Sequence, residues 1–183
     1  LIEPAQATAT AGKVEVLEAF SYGCAACSSA QPYVDRWKAN LPANATFAYL
    51  PVTFRPDFAL LARGYLAAQA LGVAERTHQP MFDAMRGGTP VTRIEDVADL
   101  YAKLEVDRAQ FLAAASSFAV STRLKRIEQS LPRYGIDSSP TFVVAGKYRL
   151  TARMAGSYER LFAVIDQLIA REAQITAAAA STP

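Results

Sequence analysis

The sequence predicts an α/β fold in which a block of helices interrupts a sheet. Three observations predict this class. A β-rich run, a helix-competent run and a second β-rich run occupy residues 14–52. Helical periodicity alone then continues to about residue 134, and a β-branched run, a turn and an amphipathic segment close the chain. The strand–helix–strand unit predicts two parallel strands, and the final turn predicts a hairpin.

Composition places the chain among ordinary globular proteins. Of the 183 residues, 51% are hydrophobic and 20% are charged, which is enough for one domain or one domain with an insertion. The formal net charge of +2 is too small to predict nucleic-acid binding. No apolar run approaches the ~18 residues of a membrane span. The first residue is leucine, and we expect a processed N-terminus from which a signal peptide has been removed.

The first elements form a strand–helix–strand unit. The run from Val14 to Phe20 is apolar and β-rich, and it predicts a buried strand. A helix is predicted from Ala25 to Asn40, with Pro32 as a kink. The run from Thr46 to Val52 predicts the second strand.

The middle of the chain predicts helices only. Asp57 caps the first of them, Gly72 ends it, and the paired residues Thr92 and Glu95 fit a capping box further on. The predicted helices cover residues 57–71 and 74–86, a stretch after Thr92, a short one after Asp107, and residues 118–134.

After this block the sequence predicts a return to the sheet. Ser138 to Val144 predicts a strand, Lys147 to Leu150 pairs back as a hairpin, and Ser157 caps a final amphipathic helix. The predicted domains are therefore a first sheet-forming part at 1–55, an inserted helical domain at 56–134, a second sheet-forming part at 135–176 and a disordered tail at 177–183.

Cys24 and Cys27 are the only cysteines, and they follow the first predicted strand directly. At the start of a helix, unsatisfied backbone N–H groups and the helix dipole favour the thiolate, which is the reactive form of cysteine. This pattern favours redox exchange. Two alternatives remain. A zinc site needs about four ligands, and the single histidine, His78, is distant in sequence. A structural disulfide so short would constrain the unfolded chain little.

Glu18 interrupts the apolar run before the cysteines. On strict alternation it shares a strand face with Val14, Val16 and Phe20. A carboxylate on an apolar face near two thiols can take or relay the proton of the inner thiol. The alternative is an ordinary solvated strand residue.

Four features together resemble the DsbA family of thiol–disulfide oxidoreductases. They are the lead-in VLEAFSYGC that ends at Cys24, the C-x-x-C motif, the helical insertion, and the run SPTFVV followed by GKY. The resemblance covers nearly the whole chain. It implies a thioredoxin fold with an all-helical domain inserted between the second strand and the C-terminal β-hairpin.

The resemblance also implies roles for particular residues. Cys24 would be the exposed nucleophile and Cys27 its buried partner. Glu18 matches the family's buried acidic residue, six positions before the first cysteine.

A second set of implied residues concerns the substrate. Pro140 would follow a cis peptide bond and face the disulfide. The Ser139 backbone would then offer an edge to which an extended substrate segment adds as a strand. Tyr22 and Ala25, which flank Cys24, are the further candidate substrate-binding residues.

Two departures from the family pattern concern the reactivity of the pair. The best-studied members carry Pro-His between the cysteines, where this chain has Ala25-Ala26. We expect a less stabilised thiolate and hence a weaker oxidant. Many members also place a lysine near the acidic residue, at the position of Tyr49.

The implied function is disulfide exchange through a mixed disulfide, with the Cys24–Cys27 disulfide as the only redox group and no metal. Expected partners are unfolded or reduced exported proteins and a quinone-linked, DsbB-like membrane protein that reoxidises the pair. The expected setting is a periplasmic monomer that binds no nucleic acid. The alternatives are a disulfide reductase or isomerase, a thioredoxin-fold binding or chaperone module, and a glutathione-dependent transferase.

Overall fold

The computed structural model describes residues 1–180, which form a four-stranded sheet and eight helices. The strands are β1 (Val14–Phe20), β2 (Ala45–Pro51), β3 (Thr141–Val144) and β4 (Tyr148–Leu150). The helices are α1 (Ala25–Lys38), α2 (Pro56–Ala70), α3 (Ala74–Arg86), α4 (Ile94–Ala102), α5 (Arg108–Ser116), α6 (Phe118–Arg133), α7 (Ala152–Ala155) and α8 (Tyr158–Ala180).

The sheet has the strand order β2-β1-β3-β4. β1 and β2 run parallel, because Val14 N–H donates to Asn44 O (2.9 Å) at their starts and Val52 N–H to Phe20 O (2.8 Å) at their ends. β3 pairs antiparallel with both β1 and β4. The predicted α/β class, the parallel first pair and the hairpin are confirmed.

The chain divides into two compact units. The sheet unit contains residues 1–19 and 30–50 and the described residues from 133 onward. The helical unit contains residues 20–29 and 51–132. The predicted insertion, 56–134, is close to the second of these ranges. The segment 20–29, which carries both cysteines, differs from the prediction: it belongs with the helices, because the aromatic side chains at its start pack among aromatic residues of α2 and α3.

The core of the sheet unit is a layer of apolar side chains between the sheet and helices α1 and α8. Trp37 belongs to it and is 8% exposed. Its indole Nε1–H donates to Asp166 Oδ1 at 2.7 Å, and its ring stacks on Phe162 with centroids 5.3 Å apart. A buried tryptophan needs such a partner for its N–H group, and Asp166 supplies it.

The N-terminal arm, residues 2–6, is attached to the turn of the hairpin. Ile2 N–H donates to Lys147 O (2.7 Å) and Gln6 N–H to Gly146 O (2.9 Å). Gly146 has φ +64°, and a Cβ there would lie 2.1 Å from Gln6 O. Only glycine therefore allows the arm to approach this turn so closely.

Three helix starts in the helical unit test the predicted caps. The predicted Asp57 cap is wrong, because α2 begins at Pro56, a residue suited to the first helical position, and its N-cap residue is Arg55. Asp107 caps α5 as predicted, because its Oδ1 accepts from Gln110 N–H at 2.7 Å. The predicted Thr92–Glu95 capping box is wrong. The carboxylate of Asp96 accepts from the backbone N–H groups of Thr92 (2.8 Å) and Arg93 (3.1 Å). The helix begins one residue later than expected, so the third helical position falls on Asp96.

The C-terminal helix is longer than predicted. α8 extends to Ala180, so the prediction of disorder is wrong for residues 177–180, and residues 181–183 lie outside the described part of the chain. Alanine has the highest helix propensity, and a run of alanines continues a helix that is already formed. None of the helices within residues 1–180 has the length and apolar character needed to cross a membrane.

Candidate active site

Cys24 directly precedes helix α1. A tight turn precedes it: Cys24 N–H donates to Ser21 O (3.0 Å), and Gly23 N–H donates to Ser21 Oγ (3.2 Å). The Cys24 carbonyl then accepts the first helical hydrogen bond, from Ser28 N–H at 3.1 Å. The Cys24 Sγ accepts from Cys27 N–H at 3.2 Å. Cys24 therefore stands at the N-cap, and its sulfur occupies the place that a serine or aspartate oxygen usually takes.

The two sulfur atoms lie close together but differ in exposure. Their Sγ atoms are 2.7 Å apart, and both residues are thiols in this structure. Cys27 is fully buried, whereas Cys24 is partly exposed. An incoming thiol can therefore reach Cys24 Sγ, while Cys27 is placed to form or break a bond with Cys24. The hydrogen bond from Cys27 N–H and the start of the helix both favour the Cys24 thiolate.

A cavity of about 250 Å³ opens beside Cys24 within the helical unit. The predicted substrate-binding residues Tyr22 and Ala25 line it together with Cys24. Its opposite wall comes from the end of α3, through Phe82, Met85 and Arg86. Phe82 also belongs to the buried core and is 1% exposed. The partly exposed Met85 also serves as a wall of the cavity.

Two arginines carry positive charge near this site. On α3, Arg86 Nη2 lies 3.4 Å from Ser28 Oγ in the first turns of α1 and 3.1 Å from Asp83 Oδ1. Before α2, Arg55 pairs with Asp57 (Nη2–Oδ2, 2.6 Å). This pairing raises the pKa of Arg55, chiefly through the hydrogen bond to Asp57, and the charge of Cys24 raises it further. The same bond lowers the pKa of Asp57.

A buried hydrogen bond connects the turn before Cys24 to helix α3. The hydroxyl of Tyr22 lies 3.0 Å from Nδ1 of His78. Tyr22 is 3% exposed and His78 is 7% exposed, and their rings pack with Phe20, Tyr65 and Phe82. His78 is thus distant from the cysteines in sequence but close to the active-site turn in the structure.

Three predicted site residues belong to the sheet unit. Glu18 is fully buried on β1, opposite Phe142 of β3. This excludes the alternative of a solvated strand residue. The Ser139–Pro140 peptide bond is cis, as the resemblance implies. The catalytic or substrate-binding roles of Glu18, Ser139 and Pro140 stay predictions.

Arg55, Arg86 and the Tyr22–His78 contact were not found from the sequence. Arg55 and Arg86 lie 31 and 62 positions after Cys24, and only the packing of the helical unit brings them near it. The sole sequence signal for His78 is its helical spacing to Phe82, which predicts one shared face of α3. Among residues 1–180, no three His, Cys, Asp or Glu side chains are grouped as a metal site requires.

Comparison with known proteins gives a consistent family assignment. A family model described as DSBA-like thioredoxin domain matches residues 21–165. The thiol:disulfide interchange protein DsbA of Pseudomonas syringae pv. tomato is 33% identical over 165 residues, which are 90% of this chain and 77% of that protein. The protein of the same name from Burkholderia cepacia is 34% identical over 167 residues, or 91% of this chain and 79% of that one.

Solved structures agree with this assignment. The crystal structure of Pseudomonas aeruginosa DsbA matches with a TM-score of 0.90 and 30% identity, and the match covers 99% of this chain and 93% of that one. The oxidoreductase DsbA from Xylella fastidiosa matches with a TM-score of 0.86 and 31% identity over 93% of this chain and 92% of that one.

Proposed function

The chain belongs to the DSBA-like thioredoxin domain family and is a disulfide oxidoreductase, and we propose that it introduces disulfides into exported proteins through Cys24 and Cys27. One observation carries the proposal. The partly exposed sulfur of Cys24 stands at the N-cap of α1, with the buried sulfur of Cys27 at 2.7 Å. This arrangement gives one reachable nucleophile and one internal partner, which dithiol–disulfide exchange requires.

The first step is attack on the oxidised form of the pair. A substrate thiolate attacks Cys24 Sγ, the Cys24–Cys27 bond breaks, and Cys27 leaves as a thiolate that takes up a proton. Because Cys27 is fully buried, the attack is directed to Cys24. The product is a mixed disulfide between Cys24 and the substrate.

The second step releases the oxidised substrate. A second substrate thiolate attacks the substrate sulfur of the mixed disulfide, and Cys24 leaves as a thiolate. The N–H group of Cys27 and the dipole of α1 stabilise that leaving group. Two electrons have then passed from the substrate dithiol to the enzyme, which ends as the dithiol.

Residues of the sheet unit have supporting roles in this proposal. Glu18 supplies the proton that the Cys27 thiolate takes up in the first step and accepts it back when the pair is reoxidised, and its burial and its position six residues before Cys24 support this role. The backbone at Ser139 and Pro140 pairs with an extended substrate segment, a role supported by the resemblance to the family. The enzyme acts as a periplasmic monomer, and a quinone-linked membrane protein reoxidises it.

Trapping experiments test the chemistry. We expect Cys27→Ser, incubated with disulfide-containing protein substrates, to accumulate mixed disulfides, because the Cys24 thiolate attacks the substrate disulfide and no Cys27 thiol resolves the product. The adducts are visible on non-reducing gels, and reductant removes them. Cys24→Ser is the matched control and forms no adduct. Equal trapping by both variants, or by neither, contradicts the proposed order of attack.

The direction of electron flow is tested by the equilibrium potential against glutathione. A potential of about −120 mV identifies an oxidase, and one of about −270 mV identifies a reductase. We expect a value between these limits and nearer the first. Absence of dithiol oxidation by the oxidised wild type would point to a binding or chaperone module with a structural disulfide.

A further inference from the structure

The two side chains between the cysteines give the Cys24 thiolate no electrostatic support. Ala25 and Ala26 fill the two positions between the cysteines, and alanine offers neither charge nor a side-chain hydrogen bond. Both residues are exposed. Any positive charge that acts on Cys24 from the helical unit must therefore come from outside the C-x-x-C loop.

Arg86 brings one such charge to the site from α3. It lines the same cavity as Cys24, and its Nη2 lies 3.4 Å from Ser28 Oγ. The backbone N–H of Ser28 in turn donates to the carbonyl of Cys24. The guanidinium thus lies beside the first turn of α1, in the wall of the cavity that also contains Cys24.

Arg55 brings a second charge from the segment before α2. Its guanidinium carbon lies 4.3 Å from the centre of the Phe58 ring. That ring is packed against the residue before the nucleophile, since a Cβ added to Gly23 would lie 2.9 Å from Phe58 Cε1. Arg55 is thus linked to the Cys24 turn indirectly, through the ring of Phe58. The effect of the Cys24 charge on the pKa of Arg55 agrees with this placement.

We propose that Arg86 and Arg55 are tuning residues that stabilise the Cys24 thiolate in place of a charged residue between the cysteines. The inference rests on the proposed role of Cys24 as nucleophile, and it adds the source of its reactivity. A stabilised thiolate stabilises the reduced enzyme, so the two arginines make the enzyme a stronger oxidant.

Each arginine also has an acidic partner that opposes this effect. Asp83 lies 3.1 Å from Arg86, and Asp57 lies 2.6 Å from Arg55. Removing an arginine charge and removing its aspartate charge therefore have opposite consequences for Cys24. An electrostatic effect therefore shifts the pKa of Cys24 in opposite directions in the arginine and aspartate variants. General damage to the fold would shift it in the same direction in both.

The test uses the full chain in its reduced form. Thiolate absorbance of Cys24 is titrated in the wild type and in Arg86→Gln, Arg55→Gln, Asp83→Asn and Asp57→Asn. We expect the titration midpoint to rise in both Gln variants and to fall in both Asn variants. The equilibrium constant for oxidation of glutathione by the enzyme should fall by about 1.5- to 5-fold in the Gln variants and rise by a similar factor in the Asn variants, which is the range for exposed charges.

Three controls test whether the arginine charges cause the shifts. Arg86→Lys and Arg55→Lys keep the charge and retain most of the wild-type midpoint. Arg93→Gln removes an exposed arginine from another ion pair of the same unit, at the start of α4, and leaves the midpoint unchanged. High salt, at which the Debye length is about 3 Å, reduces the shifts in the Gln and Asn variants.

The proposal is overturned if all four charge-removing variants titrate like the wild type, or if the Asn variants shift in the same direction as the Gln variants. Failure of the proposed function is a separate result. It is an absence of exchange with protein dithiols in the wild type, and the titration of Cys24 is measured independently of that activity.

Discussion

At the starts of helices α1 and α4, side chains of two different chemical types accept hydrogen bonds from backbone N–H groups. At α4 the carboxylate of Asp96 accepts from the backbone N–H groups of Thr92 and Arg93. At α1 the sulfur of Cys24 accepts from Cys27 N–H. The bonds to Asp96, the one from Thr92 N–H most of all, lower the pKa of that carboxyl to about 2. In both places, backbone donors at a helix start favour the anionic form of the side chain.

The difference lies in what the anion does next. The Asp96 carboxylate is ionised throughout the physiological range, so its cap is permanent and purely structural. A thiolate at the same kind of position is a nucleophile and a leaving group. The helix start therefore contributes stability at α4 and reactivity at α1.

The largest expected effect comes from a substitution that keeps a hydrogen-bond acceptor at the N-cap of α1 but removes the reactive sulfur. We expect Cys24→Ser to abolish disulfide exchange while the unfolding free energy of the reduced protein stays within about 0.5 kcal/mol, because serine caps well. Cys24→Ala is equally inactive and less stable by about 1 kcal/mol. Denaturant unfolding of the reduced proteins measures this, and equal stability of the two variants would contradict the capping role of residue 24.

The next effect concerns the turn before α1, where a buried hydrogen bond joins Tyr22 to His78. Tyr22→Phe removes the hydroxyl that contacts His78 Nδ1. We expect a loss of about 1–3 kcal/mol in unfolding free energy, because a buried polar group loses its partner. In a double-mutant cycle with His78→Leu, the two losses should not add. Additive losses would show that the contact contributes no energy.

A smaller effect is expected at α5, which is capped by a carboxylate as α4 is. Asp107→Ala removes the acceptor of Gln110 N–H. We expect a loss of about 1 kcal/mol in unfolding free energy, with the glutathione equilibrium of the cysteine pair unchanged. Asp107→Asn keeps a capping oxygen and should lose less. A change in redox equilibrium in either variant would mean that helix caps in this unit are coupled to the active site.

The smallest effect is the dependence of stability on pH at Asp96. Its pKa is lower in the folded state, about 2, than the ordinary 3.8, so its stabilisation is complete above the unfolded value and is lost as pH falls toward 2. The unfolding free energy of Asp96→Asn should therefore approach that of the wild type between about pH 4 and 2. A constant difference from pH 5 to 2 would contradict this assignment.

Most of the fold could be predicted from local sequence patterns. The bounds of β1 and α3 agree with the prediction to the residue, because an apolar β-rich run defines the first, and Gly72 and Gly87 flank the second. The α4 cap was predicted one residue too early, since both Glu95 and Asp96 can complete a capping box.

The site could be predicted only where its residues are close in sequence or match a family motif. Cys24, Cys27 and Tyr22 lie within one short stretch. Arg55 and Arg86 reach the site through the packing of the helical unit, and no periodicity in the sequence indicates which surface arginines do so. The two alanines between the cysteines showed that a charge was missing, but they could not show where it is supplied.

The attachment of residues 2–6 to the turn at Gly146 has a consequence for synthesis on the ribosome. The helical unit is complete once residue 132 has emerged, and its longest part, residues 51–132, is continuous. The sheet unit cannot form until the hairpin has been synthesised, because β1 pairs with β3 and the N-terminal arm is hydrogen-bonded to the hairpin turn. We expect the nascent chain to pack its helices first and to close its sheet last. The thiol pair thus belongs to the part of the protein that is finished earlier.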